Sequence, residues 1–194
     1  DNGSYDVILE IFKISKKQGI RSVDKICHRM ELGKDTYTLG KIRPEMEEEL
    51  CRVLADFVRI MEGYRVDDYR ATASSAISEA SNSLYVLGKI HQLTGFSVTV
   101  LSNSEQRFLS YKALAAMEDN FNKIIEKGTA ILDLDGGSFQ ISLFDKDALV
   151  TTQNIRMGSL RIRERLAGIQ SETEHYEEMV EELIWNEVSS FKKM

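Results

Sequence analysis

Hydrophobic residues recur along the chain in two rhythms. In YDVILEIFKI (5–14) they alternate or run for a strand's length, and SVDKICHRMEL (22–32) continues the pattern beyond the KKQG turn, which predicts early antiparallel strands. The rhythm then becomes helical. Pro44, the only proline, suits a first helical turn, and Met46, Leu50, Val53, Leu54, Phe57 and Met61 share one face, so a helix is expected over about 44–62. YRATA (69–73) reads as a short strand, and Ile77, Leu84, Leu87 and Ile90 mark a second helix ending near Gly95. FSVTVLS (96–102) is β-rich. Behind Ser104, whose Ser-Glu-Gln opening resembles a helix start, Leu109, Ala113, Ala116 and Met117 form a third apolar stripe. Strand, helix, strand, helix, strand points to parallel pairing with helical crossovers.

From Gly128 the spacing shortens. TAILDL (129–134), FQISLF (139–144) and ALVTTQNI (148–155) predict a meander. SETE (171–174) fits a capping box ahead of a long helix carrying Tyr176, Met179, Val180, Leu183, Ile184 and Val188. No linker rich in Pro, Gly or Ser interrupts the chain, so two lobes, 1–125 and 126–194, are expected to meet at a helix or tight hinge. An internal echo supports two related lobes: Gly3-Ser4-Tyr5-x-Val7-x-Leu9 and Gly137-Ser138-Phe139-x-Ile141-x-Leu143 share a turn-then-strand pattern, offset by 134, with Asp1 opposite Asp135.

Composition narrows the classes. Of 194 residues, 42% are hydrophobic and 29% charged, as in folded soluble domains, and neither a membrane-length apolar run nor a signal-peptide pattern is present. A cytoplasmic location is the expectation. Cys27 and Cys51 lack CxxC spacing and read as reduced structural thiols, while His28, His91 and His175 are too scattered for a transition-metal cluster. The net charge of −6 opposes broad nucleic-acid binding, yet backbone N–H groups and a cation can still hold an anion in a small site.

The turns carry the candidate chemistry. Gly-Gly-Ser at 136–138 can converge amides and a hydroxyl on phosphate oxygens, and aspartates beside it can hold magnesium; an ordinary hairpin turn has the same composition. Asp133, Asp135 and Asp1 form either a cation site or unremarkable turn acids. Arg156, Arg161, Arg163 and Arg165 read as a solvated, acid-paired surface, with substrate or partner contact as the alternative. The acidic run EHYEEMVEEL is the exposed side of the last helix, whose apolar side could serve a homodimer.

Taken in order, these segments resemble the Ppx/GppA family of exopolyphosphatases and guanosine pentaphosphate phosphohydrolases. DNGS is similar to the family's D-x-G-S-N-S turn, and LGKDTYTLGKIRPEMEEEL to its L-G region and following helix. ATASSAISEASN is similar to A-T-S-A-x-R-x-A-x-N, VTVLSNSEQRFLSY to I-S-G-x-E-E-A-R-L-x-Y, and LDLDGGSFQ to D-I-G-G-G-S-T-E. IRMGSLRIRERL resembles the next glycine-containing segment. The resemblance implies a ribonuclease-H-like, actin-like α/β fold of two lobes with mixed sheets. It also implies two phosphate turns facing across a cleft that closes over the substrate, and a later phosphate-contacting segment beyond residue 194, so that the chain is expected to be a fragment with an incomplete second lobe. The phosphate-binding residues would be Gly3, Ser4, Gly136, Gly137 and Ser138, with magnesium on Asp133, Asp1 and Asp135, and polyphosphate or a guanosine polyphosphate as substrate.

The departures fall on reacting groups. Gln106 stands where the second glutamate of the E-E pair would activate water, leaving Glu105 either as a displaced base or as a first-turn acid stabilised by the helix dipole. Ser78 replaces the arginine of the A-x-R segment, and Tyr5-Asp6 replace Asn-Ser. Asp135, Phe139 and Gln140 replace a glycine, the threonine and the final glutamate of the middle segment. The expectation is a slow phosphoanhydride hydrolase. Its alternative is a catalytically degenerate polyphosphate- or nucleotide-binding or regulatory protein, and an actin-like ATPase or sugar kinase is a weaker third.

Overall fold

The computed structural model describes residues 3–118, 120–167 and 175–191. Contacts divide the chain into two compact units, Asp1–Ser102 and Asn103–Met194. The lobe limit expected near 125 falls within a helix of the second unit, Phe121–Glu126.

In the first unit β1 (Asp6–Ser15) and β2 (Gly19–Arg29) form the expected antiparallel hairpin, registered from Asp6↔Arg29 to Ser15↔Gly19, with a bulge at Ile11/Phe12. Gly19, at φ 67°, leaves the turn in the left-handed region that favours glycine. A short helix follows that the apolar rhythm did not predict, α1 (Leu32–Leu39). Two of its four buried residues, Asp35 and Thr36, are polar, so no apolar stripe marks it. The buried Asp35 carboxylate accepts from the Arg43 backbone N–H at 2.9 Å and from Arg43 Nε at 2.9 Å, which raises the guanidinium pKa.

Pro44 opens α2 (Pro44–Tyr64), whose buried face is Leu50, Cys51, Val53, Leu54 and Phe57, with Met46 and Met61 packed beside it. β3 (Ala71–Ala73) pairs in parallel with β4 (Val98–Val100) through a helical crossover, as expected. That crossover is two helices instead of one, α3 (Ser75–Ser78) and α4 (Ser83–Thr94). Asn82 separates them by bonding both the N–H and the C=O of Ile42 through its side-chain amide. The break resets the helical phase, so Leu84 is 85% exposed while Val86 and Ile90 enter the core.

The second unit begins with α5 (Asn103–Met117) and α6 (Phe121–Glu126). The stripe expected on α5 is not a core face: α5 has no buried residue and Met117 is 81% exposed. β5 (Thr129–Leu134), β6 (Phe139–Asp145) and β7 (Ala148–Ile155) form the predicted antiparallel meander. Ile141, Ile155 and Met157 pack with Ile162 and Leu166 of α7 (Ser159–Leu166), and α8 (Tyr176–Phe191) covers them with Tyr176, Met179, Val180, Leu183 and Val188. Ile184 and Trp185 of the same helix stay exposed, at 39% and 63%. SETE lies outside the described residues. Among the described residues no helix is long and apolar enough to cross a membrane.

Candidate functional site

The Asp133–Gln140 segment ends β5, turns and enters β6, with Asp133 directly opposite Gln140 across the ladder. Gly136, Gly137 and Ser138 are buried, whereas Asp133 and Asp135 are exposed. The turn closes through the Asp135 N–H and the Ser138 carbonyl, 3.0 Å apart. Asp135 Oδ1 accepts from the backbone N–H groups of Gly137 at 2.5 Å and Ser138 at 3.0 Å. Two amides expected to meet phosphate are thus held by the loop's own carboxylate. The Ser138 hydroxyl accepts from Asn154 Nδ2 at 3.3 Å.

The N-terminus of α7 fixes the other side of the loop. Helix starts leave N–H groups without intrahelical partners. Here Ser159 N–H reaches the Asp135 carbonyl at 2.9 Å, and the Leu160 and Arg161 N–H groups reach the Gly136 carbonyl at 3.1 Å each. Arg161 Nε donates to the Gly137 carbonyl at 3.1 Å. Gly158, which precedes the helix, leaves no room for a side chain: a Cβ there would stand 2.3 Å from the Gly136 carbonyl carbon. Gly158 is a neighbour of the loop that residue type alone did not single out, and Arg161 was read from the sequence as part of a solvated, acid-paired surface with substrate or partner contact as the alternative. Arg163 does fit the acid-paired reading, lying 2.8 Å from Glu164, but Arg161 serves the loop.

A cavity of about 270 Å³ opens between α5 and the β5–β6 ladder, walled by Arg107, Ser110, Tyr111, Asp133, Gln140 and Ser142 among others. Ser110 Oγ donates to Asp133 Oδ2 at 3.1 Å, Arg107 donates to the hydroxyls of Thr152 at 3.0 Å and Ser104 at 3.1 Å, and the Tyr111 hydroxyl donates to Ser142. Gln140, only 6% exposed, leaves Oε1 without a hydrogen-bond partner. Glu105 is exposed and Gln106 half-buried in the first turn of α5, and neither joins the cavity wall. Asp133 and Asp135 each commit one oxygen, to Ser110 and to the loop respectively. Among the described residues no group of three or more His, Cys, Asp or Glu side chains could hold a metal, and Asp1 lies outside them.

In the first unit the Gly3 N–H donates to the Asp6 carbonyl at 2.9 Å, closing its turn as Asp135 and Ser138 close theirs. The matching bonds are offset by 132 residues, so the two turns correspond two positions away from the sequence echo at 134. Ser4 is buried, and its hydroxyl bonds Tyr37 Oη at 2.7 Å, which bonds Ser75 Oγ at 2.9 Å. Ser78, in the arginine's place, is exposed.

Similarity to known proteins bears on these arrangements. The Fusobacterium nucleatum protein named bifunctional 3-dehydroquinate synthase/phosphatase is 20% identical over 147 residues, covering 75% of this chain and 22% of that protein. Exopolyphosphatase 1 of Mycobacterium leprae is 29% identical over 108 residues, covering 55% of this chain and 30% of that protein. The chain therefore spans less than a third of either. The crystal structure of the Aquifex aeolicus Ppx/GppA family member superposes with a TM-score of 0.71 at 22% identity, covering 98% of this chain and 60% of that one, so the fold is the ribonuclease-H-like, actin-like α/β fold. With the model of the Ppx/GppA phosphatase family matching residues 11–194, and the glycine loop locked on its following helix, the chain belongs to the Ppx/GppA phosphatase family.

Proposed function

We propose that the protein is a slow phosphoanhydride hydrolase of the exopolyphosphatase kind, releasing terminal phosphate from polyphosphate or guanosine pentaphosphate in the cytoplasm. The observation that carries this reading is the Asp133–Ser138 loop, its carbonyls pinned by α7 and its Gly136–Gly137 peptide pressed on Gly158. Phosphoryl transfer is catalysed mainly by positioning and charge stabilisation, so a rigid backbone loop is what the terminal phosphate requires.

Asp133 and Asp135 are hard oxygen donors with one carboxylate oxygen each outside the loop and Ser110 bonds. That donor set suits magnesium, which takes one or two protein carboxylates and completes its shell with water and substrate oxygens. Bound there, magnesium would offset phosphate charge. The slowness follows from Gln106: an amide accepts no proton from water, and a general base contributes about 10²- to 10⁴-fold. Glu105 is the remaining carboxylate able to take that part.

The experiment is phosphate release from polyphosphate and guanosine pentaphosphate by the full-length protein. Slow turnover that Asp133→Ala abolishes and Gln106→Glu raises about 10²-fold or more is expected; loss on Glu105→Gln would give Glu105 the proton-accepting role. A second reading, a binding or regulatory protein of the same fold, draws on the Asp135 carboxylate lying on the loop amides. Saturable binding without turnover, unchanged by Gln106→Glu, would establish that reading and overturn the hydrolase.

A further inference from the structure

We propose that Asp135 is a built-in occupant of the β5–β6 phosphate loop, so that the loop accepts a phosphoryl group only when its own carboxylate is displaced. The inference rests on the phosphate-binding reading given above and specifies how that site is gated. Two consecutive N–H groups, of Gly137 and Ser138, converge on the single oxygen Asp135 Oδ1. Convergent amides of this kind are what an anionic phosphoryl oxygen seeks, and a carboxylate oxygen satisfies them with the same charge-assisted bonds.

The remainder of the loop leaves no other way to free those amides. The carbonyls of Asp135 and Gly136 are held by the first-turn N–H groups of α7, and that of Gly137 by Arg161 Nε. Gly158 sits directly against the Gly136–Gly137 peptide, so a peptide flip would collide with α7. The Asp135 side chain, by contrast, is exposed and can swing into solvent without losing packing. An incoming polyanion must therefore overcome both a tethered competitor at high effective concentration and that competitor's negative charge. Glycine at this position, as in the segment this loop resembles, would present the amides open.

The test is titration of the full-length protein with inorganic tripolyphosphate by calorimetry in metal-free buffer, so that the magnesium role given to Asp135 does not enter, comparing the unsubstituted protein with Asp135→Ala, Asp135→Gly, Asp135→Asn and the exposed-turn control Asp147→Asn. Ala and Gly should tighten binding about tenfold or more by opening the amides. Asn should gain no more than about threefold, because its carbonyl oxygen still accepts from both N–H groups, and the control should match the unsubstituted protein. Backbone amide resonances of Gly137 and Ser138 should move with ligand in Asp135→Ala. If Asn gains as much as Ala, the effect is charge alone and occupancy is overturned; equal affinity in Ala and the unsubstituted protein overturns it too. Absence of binding by every variant would instead defeat the phosphate-binding reading itself.

Discussion

The two glycine turns of this chain close with the same backbone bond and differ in what is done with their polar groups. In the first, Ser4 is drawn inward and its hydroxyl joins Tyr37 and Ser75 in a chain of three. In the second, the loop's amides are taken by Asp135, whose side chain lies at the surface, while its carbonyls are taken by α7. The first turn is thus built into the packing of its unit. The second has its backbone held by α7 and its amides capped by one exposed side chain. Equal sequence signals, acid, glycine and serine, therefore give a structural joint in one place and a carboxylate-capped loop, the anion site we propose, in the other.

The comparison breaks most readily at Gly158. Gly158→Ala should destabilise the second unit by about 3 kcal/mol, since the added Cβ meets rigid backbone and not a flexible side-chain end. Hydrogen exchange should show lost protection at 159–161 with the first unit unchanged; retained protection there would mean that the loop and α7 are not interlocked. Next in size is Tyr37→Phe, which strips the shared partner from Ser4 and Ser75 and should cost the first unit about 1–2 kcal/mol by urea denaturation. A negligible loss would place the Ser4 hydroxyl among solvated groups and make the two turns alike.

The smallest effect concerns charge in the first unit. Lys89 Nζ lies 2.5 Å from the buried Glu47 carboxylate, and that close ion pair raises the lysine pKa. A raised folded-state value means the contribution is fully present below the ordinary lysine value of 10.5 and is lost as pH rises through the higher folded value. Stability of the first unit against denaturation should therefore fall as pH rises above 10.5, and Lys89→Met should flatten that slope. An unchanged slope in the variant would assign the alkaline loss elsewhere.

Legibility tracked how regular the apolar pattern was. The β1–β2 hairpin, α2 with Pro44 in its first turn, the parallel β3–β4 pair and the β5–β7 meander follow from period and turn chemistry. α1 escaped because half of its buried residues are polar, and the break at Asn82 escaped because a side-chain amide bonded to Ile42 carries no periodic signal. On α5 the stripe was real in sequence but not buried in its unit. At the site, Gly136, Gly137 and Ser138 were legible as a turn and Asp135 as an intrusion, whereas Gly158 and Arg161 lie over 20 positions away and meet the loop only after folding.

The sequence by itself determined the order of the strands and of the regularly patterned helices, the acid-glycine-serine turns, the resemblance that led to the family and the replacement of the expected base by Gln106. These are properties of residue type and spacing, which act locally. Tertiary structure alone decided which polar group satisfies which: that Asp135 caps its own loop, that α7 grips the carbonyls and that Ser4 faces Tyr37. A buried or converging N–H takes the nearest acceptor that folding delivers, and distance in space is not written in the order of residues.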